Sequence, residues 1–124
     1  DFRHFKDRVF VIGEALRSFL IDARRRRKRV AGYGAPAKAS TALNFAAINP
    51  ELLPYTIDSN PRKQGGYIPG VHVPIESPER LKADRPDYVV ILAWNLRDEV
   101  VEQCAYVRAW NGAFVTFVPK LEII

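Results

Sequence analysis

Two glycines and a lysine give this sequence its clearest candidate for binding a phosphate. Gly32 and Gly34 follow a short apolar run, and Pro36 and Lys38 come soon after them. Glycine lets the backbone turn sharply and lets a ligand approach closely, and proline suits the first position of a helix. Lys38 in a first helical turn would oppose the macrodipole, so it needs an anionic neighbour or ligand unless it points into solvent. Because a third glycine is missing, the dinucleotide-binding fingerprint is incomplete, and a binding loop and a plain turn remain comparable interpretations.

Two polar residues follow later predicted strands and could face the same ligand. Asp58 comes about 24 residues after Gly34, where an acid binds ribose in dinucleotide-binding folds. Asp58 could equally cap the turn at 59–61. Asn95 follows a buried strand, and it is also a good N-cap for the next helix, with Asp98 as a variant capping box.

The loop from Asn60 to Gly70 is the most unusual segment of the chain. Lys63 and Gln64 suit phosphate and sugar oxygens, and Tyr67 could stack on a base or pack on the sheet edge. Functional residues are often carried on loops, so ligand contact is favoured over an ordinary solvated loop, and the loop is expected to be mobile until a ligand orders it. His72 lies between two valines of a predicted strand, where an exposed or structural role is more common than a catalytic one.

Charge and composition exclude several kinds of function. The net charge is +5, but the run from Arg24 to Arg29 carries six positive charges and the rest of the chain sums to −1. No aromatic residues interleave this run, as single-strand binding requires, so a solvated helix end is favoured and neither a nucleic-acid nor a membrane partner is expected. Two distant histidines and the lone Cys104 predict no metal site, and Cys104 is predicted to be a packed thiol.

Hydrophobic spacing places these residues on alternating strands and helices. The first helix carries apolar residues at three- and four-residue steps, namely Phe2, Phe5, Val9, Ile12, Leu16, Phe19 and Leu20. The predicted helices span 2–23, 36–48, 78–83 and 95–110, and the predicted strands span 29–33, 54–57, 71–75, 87–93, 113–118 and 121–124. This order predicts one small α/β domain over residues 1–124, Rossmann-like and doubly wound, with a mostly parallel sheet, helices on both faces and any ligand at the carboxyl edge of the sheet.

Three sequence blocks together resemble a known family. The stretches GYGAPAKASTALN, IDSNPRKQGGYIPGVHVPI and PDYVVILAWN are similar to the C-terminal domain of S-adenosylmethionine-dependent sugar C-methyltransferases, over about residues 30–118. The resemblance implies substrate-binding positions, which in this sequence are Gly32, Gly34, Lys38, Asp58, Lys63, Gln64, Tyr67, His72 and Asn95. Lys38, Lys63 and Tyr67 rank first among them, because their charges and aromatic ring suit phosphate oxygens and a base.

The resemblance also implies how a whole enzyme would work. A nucleotide-linked keto-deoxysugar would bind between this domain and a methyl-donor domain, a base would remove a proton next to the ketone, and the enolate would take the methyl group. S-adenosylmethionine, zinc and the acid–base residues are expected upstream, so this chain is expected to hold no cofactor and to be inactive alone. The absence of methionine agrees with a piece of a longer enzyme, expected in the cytoplasm. The alternatives are an independent dinucleotide-binding module and a non-catalytic docking domain.

Overall fold

The computed structural model describes residues 2–124, with side chains described from Asp7 onward. The predicted apolar contributions of Phe2 and Phe5 therefore lie outside the described side chains. The helices are α1 (Phe2–Arg25), α2 (Ala37–Phe45), α3 (Pro78–Asp84) and α4 (Arg97–Gln103). The strands are β1 (Val30–Tyr33), β2 (Thr56–Ile57), β3 (Ile75–Glu76), β4 (Tyr88–Ile91), β5 (Ala113–Thr116) and β6 (Glu122–Ile123). Two 3-10 segments, Trp94–Leu96 and Ala105–Trp110, flank α4.

The strands form one sheet in the order β3-β2-β1-β4-β5-β6. All neighbouring pairs are parallel except β5 and β6, which are antiparallel. The strand order reverses between β1 and β4, which is the arrangement of a doubly wound Rossmann-like fold. The fold class predicted from the alternating elements is confirmed.

Each face of the sheet is covered by helices. On one face, Leu16 and Leu20 of α1 and Leu43 of α2 are buried in the same cluster as Leu92. On the other face, a second cluster joins the sheet to α3, α4 and the segment after α4; its members include Leu81, Val100, Val107, Ile91 and Phe114. These two clusters are the cores that hold the strand ends in place.

Helix α1 runs antiparallel to β1 and extends past the carboxyl edge of the sheet. Its later residue Leu20 lies beside Val30, where β1 begins, whereas its earlier residue Ile12 lies beside Trp94 and Val118, which follow strand ends. A helix of 24 residues is about 36 Å long, and a strand of four residues is about 13 Å long. The first half of α1 therefore forms a wall beyond the strand ends.

The predicted strand at 71–75 is wrong for most of its length, since β3 contains only Ile75 and Glu76. Gly70 and His72 have φ values of +84° and +58°, and the His72 N–H donates to the Ile68 carbonyl over 3.0 Å. These residues form a tight turn that buries Val71 and Val73. The alternation of buried and exposed residues is real, but a turn produces it and not a strand.

The predicted helix over 95–110 is also wrong as one continuous element. Cys104, with φ −105° and ψ 24°, separates α4 from the 3-10 segment. The break lets Val107 join Val100 in one cluster and lets the Trp110 indole N–H donate to the Pro86 carbonyl over 2.8 Å.

Two predicted helix ends differ as well. Helix α2 ends before 48 because Ala47 takes φ +53° and the Ile48 N–H returns to the Leu43 carbonyl over 3.0 Å. Asn95 does not cap α4: the N-cap position is Leu96, without a side-chain hydrogen bond, and Asn95 lies exposed in the preceding 3-10 turn.

Candidate functional site

A crevice of about 380 Å³ opens at the carboxyl edge of the sheet, and we call it the edge crevice. It lies beside the ends of β1 and β4, where the strand order reverses and open α/β sheets bind their ligands. Four of the predicted site residues come together here: Gly34, Asp58, Lys63 and Asn95. The other lining residues are Tyr33, Ala35, Pro36, Ser59, Ala93, Leu96, Glu99, Val100 and Gln103.

Gly34 fixes the floor of the edge crevice. Its φ of +94° is one that side chains rarely adopt, and a Cβ there would lie 2.9 Å from the Ala93 Cβ. Gly32 lies one layer below, since a Cβ there would lie 2.8 Å from Thr56 Oγ1. The Thr56 hydroxyl donates to the Gly34 carbonyl over 2.7 Å. Gly32 thus leaves room for the Thr56 side chain, which supports Gly34 from below, and Gly32 itself does not line the crevice.

Helix α2 begins at the crevice. Pro36 is its N-cap and makes no side-chain capping hydrogen bond. The amides of Ala37 and Lys38 have no partner inside the helix, whereas the Ala39 N–H donates to the Pro36 carbonyl over 3.1 Å. Such amides and the helix dipole favour an anion. Ala37 occupies the third fingerprint position, where alanine is also accepted, but it is exposed, and the fully buried Ala39 packs α2 against the core.

Asp58 and Lys63 connect the ends of β1 and β2. Asp58 Oδ1 accepts the Asn60 N–H over 2.9 Å, which confirms the interpretation of Asp58 as a turn cap. Its Oδ2 lies 3.8 Å from Lys63 Nζ, and that ammonium donates to the Ala35 carbonyl over 3.3 Å. Because the Lys63 side chain is 45% exposed and Asp58 only 15%, Lys63 is the more accessible of the two charges.

The remaining predicted residues of the 60–70 loop lie outside the lining of the crevice. Gln64 Nε2 donates to the Asp58 carbonyl over 2.9 Å, so it holds the turn. Tyr67 is 61% exposed, and its ring meets the His72 ring edge-on with 6.3 Å between centroids. The structure therefore places Tyr67 and His72 together, on an exposed turn away from Asp58 and Lys63.

Hydrogen bonds tie this loop to the sheet and to α2. The Gly65 N–H donates to the Ile75 carbonyl over 2.8 Å, and the Ile75 N–H donates to the Gly66 carbonyl over 2.9 Å. The Pro69 carbonyl accepts from Ser40 Oγ over 3.2 Å and from Asn44 Nδ2 over 3.1 Å. These bonds favour a loop that is held in place, against the expectation that it is mobile without a ligand.

Lys38 lines a second depression, which we call the helix hollow. This hollow has a volume of about 340 Å³ and lies between α1, α2 and the segments after β4 and β5; its lining is Arg8, Val9, Ile12, Lys38, Thr41, Ala42, Trp94 and Val118. Two cations and no carboxylate line it. Lys38 is exposed, and among the described residues no carboxylate lies within 4.0 Å of its ammonium, which agrees with a lysine that points into solvent.

The titrating groups behind the crevice stay neutral at ordinary pH. Burial raises the pKa of the Tyr33 phenol, and Cys104 and Asp58 nearby raise it further. Burial also raises the pKa of the Cys104 thiol, which is 2% exposed. The prediction of a packed thiol is confirmed. No group of three or more His, Cys, Asp or Glu side chains within the described part of the chain could hold a metal ion.

The basic run lies at the opposite, amino edge of the sheet. Arg24 pairs with Glu51 over 2.8 Å, and Arg29 approaches Asp84 over 3.4 Å. Arg24, Arg26 and Arg29 of the run have acidic partners and every residue of the run is exposed, so the run forms a solvated end of α1 that is separate from the edge crevice. Across the residues that the structure describes, no helix has the length and apolar character to span a membrane.

The chain is similar to known proteins over most of its length. Residues 1–119 match the family model described as the C-methyltransferase C-terminal domain. The chain is also 34% identical over 113 residues to C-methyltransferase NovU of Streptomyces niveus. That alignment covers 91% of this chain and 26% of the relative, so the chain spans about a quarter of the length of the curated relative it matches.

Proposed function

Because this chain belongs to the C-methyltransferase C-terminal domain family, we propose that it forms one wall of the substrate cleft of a sugar C-methyltransferase. The family match confirms the resemblance carried by the three sequence blocks. The proposed substrate is a nucleotide-linked keto-deoxysugar, and the proposed methyl donor is S-adenosylmethionine. The observation that carries the proposal is the edge crevice, in which Gly34, Asp58, Lys63 and Asn95 meet where the strand order reverses.

The chemistry of the crevice suits the two ends of such a substrate. Lys63 and the unpartnered amides at the start of α2 offer donors to a pyrophosphate. Asn95 and Gln103 can donate to and accept from sugar hydroxyls, and the carboxylate of Glu99 can accept from them. The chain's own contribution is thus to bind and orient the sugar nucleotide, while the proton removal and the methyl transfer are assigned to residues outside this chain.

We propose that S-adenosylmethionine and zinc bind outside residues 1–124, as the resemblance implies. Asp58 is the acid at the end of β2; its Oδ1 accepts the Asn60 N–H and its Oδ2 lies 3.8 Å from Lys63 Nζ, so it acts first as a turn cap. The described side chains also give no group of three potential metal ligands.

One observation favours a second candidate, an independent dinucleotide-binding module. Gly32, Gly34 and Ala37 stand at the three fingerprint positions, and α2 starts at the crevice. Against it stands the exposure of Ala37, because the third fingerprint residue serves to pack the helix closely against the strand.

Calorimetric titration of the purified protein separates these functions. We expect binding of a nucleotide-linked keto-deoxysugar, weaker binding of NAD and no binding of S-adenosylmethionine to residues 1–124. Tight one-to-one NAD binding would favour the dinucleotide module instead. Binding of none of these ligands, while the domain still docks to a methyl-donor domain, would leave a docking role.

A further inference from the structure

A second concave site lies at the amino edge of the sheet, away from the edge crevice. It has a volume of about 470 Å³, and we call it the basic pocket. Its five basic side chains come from the end of α1, from the residue before β1 and from α3, namely Arg24, Arg27, Lys28, Arg29 and Arg80. The proposed sugar-nucleotide function uses none of them.

The two carboxylates of the basic pocket are already engaged. Glu51 Oε2 accepts from Arg24 over 2.8 Å. Asp84 Oδ2 accepts the Tyr55 hydroxyl over 2.7 Å, and its Oδ1 accepts from Arg29 over 3.4 Å. Arg80, the third paired cation, donates to Glu76 over 3.0 Å, so the excess of positive charge in the pocket comes from the remaining two cations.

Arg27 and Lys28 are the cations without an acidic partner. Among the described residues, no carboxylate lies within 4.0 Å of either side chain. The Lys28 N–H donates to the Ala23 carbonyl over 2.9 Å, and the Arg27 N–H donates to the Arg24 carbonyl over 3.0 Å, which is the Schellman arrangement at a helix end. Arg27 takes the left-handed position of this motif, with φ +57°, where glycine is the usual residue. A positively charged side chain, that of Arg27, thus lines the pocket at a backbone position that favours glycine.

We propose that the basic pocket binds a small compound that carries a pyrophosphate group. Five basic side chains line one concave space whose size suits a small ligand, and guanidinium and ammonium donors pair well with phosphate oxygens. An extended nucleic acid fits less well, because Glu51 and Asp84 interrupt the positive surface and no aromatic side chain interleaves the run. The proposal does not depend on the sugar-nucleotide function, since the two sites lie at opposite edges of the sheet.

Matched charge removals test the basic pocket in the complete natural protein. Arg27→Gln and Lys28→Gln each remove a cation that lines the pocket, whereas Arg25→Gln removes the same charge from the same run outside it. By calorimetry with inorganic pyrophosphate at about 0.15 M ionic strength, we expect each pocket variant to weaken binding about tenfold or more. Arg25→Gln is expected to weaken it less than about twofold, the small effect of a screened charge outside the site.

Further ligands distinguish the alternatives. Inorganic phosphate is expected to bind more weakly than pyrophosphate, and a nucleoside diphosphate about as well, because the pyrophosphate group is what is recognised. Absence of pyrophosphate binding, or equal losses in all three variants, would overturn the proposal in favour of a diffuse basic surface. A single-stranded oligonucleotide or an anionic phospholipid vesicle that binds more tightly than pyrophosphate would overturn it too. Should Arg27→Gln alter the helix end and lower the melting temperature, Lys28→Gln carries the test.

Discussion

At the scale of single residues, the edge crevice depends on one close approach between strand ends. Gly34 has φ +94°, and a Cβ there would lie 2.9 Å from the Ala93 Cβ. Gly65 has a similar φ of +87°, but open space surrounds the position of its missing Cβ. These two glycines separate the cost of a left-handed backbone from the cost of crowding.

We expect Gly34→Ala to destabilise the protein more than Gly65→Ala. Both changes strain the backbone by about 1–2 kcal/mol, but only the first pushes β1 and β4 apart, which adds about 1–3 kcal/mol. Urea denaturation of the two variants measures the difference in free energy of unfolding. Equal losses would show that Gly34 is needed for its φ alone.

The buried thiol predicts how stability depends on pH. Burial raises the pKa of the Cys104 thiol above its ordinary value, so the folded protein holds the proton more tightly than the unfolded chain. The resulting stability is fully present below about pH 9 and is lost as the pH rises through the raised pKa of the folded state. We expect Cys104→Ala to flatten this alkaline loss in urea denaturation at a series of pH values. An unchanged slope would assign the loss to Tyr33 or to another group.

At the scale of elements, the 60–70 loop is held by the C-terminal half of α2. Asn44 Nδ2 donates to the Pro69 carbonyl over 3.1 Å and to the Ser40 carbonyl over 2.7 Å. A Cβ at Gly70 would fall on the Asn44 side chain, so the turn and the asparagine fit each other closely. This contact fixes the hairpin that follows Lys63, which spans residues 65–75.

We expect Asn44→Ala to loosen this hairpin without unfolding the domain. Loss of the asparagine contacts should cost about 1 kcal/mol and should speed hydrogen exchange at the amides of Ile68 and Ile75, which are bonded within the hairpin. Thr41→Ala, an exposed change one turn earlier on α2, serves as the control. Fast exchange at these amides in the unaltered protein would support the original expectation of a mobile loop.

The elements show which parts of the fold the sequence could predict. The apolar run before Trp94 and the spacing around Leu16 predicted their strand and helix correctly, because burial on a sheet imposes those patterns. The valines on both sides of His72 wrongly predicted a strand, because a turn can bury alternate residues as a strand does. The helix break at Cys104 has no local signal such as proline or glycine, and the bond from Trp110 to the Pro86 carbonyl that accompanies it joins residues 24 positions apart.

At the scale of the whole molecule, the topology explains which site residues the sequence could bring together. The positions of Gly34, Asp58 and Asn95 after strand ends predicted that these residues lie close together, and all three line the edge crevice. The sequence does not predict on which side of α2 a side chain lies. Lys38 and Lys63 are therefore both predicted substrate contacts, although Lys38 lines the separate helix hollow. Tyr67 and His72 form an exposed pair because of a turn, and the sequence pattern wrongly predicted a strand there.

Steady-state kinetics of Lys63→Ala in the complete natural enzyme test the central claim most directly. The matched control is Arg62→Ala, which removes a neighbouring exposed charge that does not line the edge crevice. A charge-assisted contact with the sugar nucleotide contributes about 1.5–3 kcal/mol. We therefore predict that Lys63→Ala raises the KM for the sugar nucleotide about ten- to hundredfold with kcat little changed, whereas Arg62→Ala changes KM less than about twofold. An unchanged KM in Lys63→Ala, with methyl transfer intact, would contradict the assignment of the edge crevice as a wall of the substrate cleft.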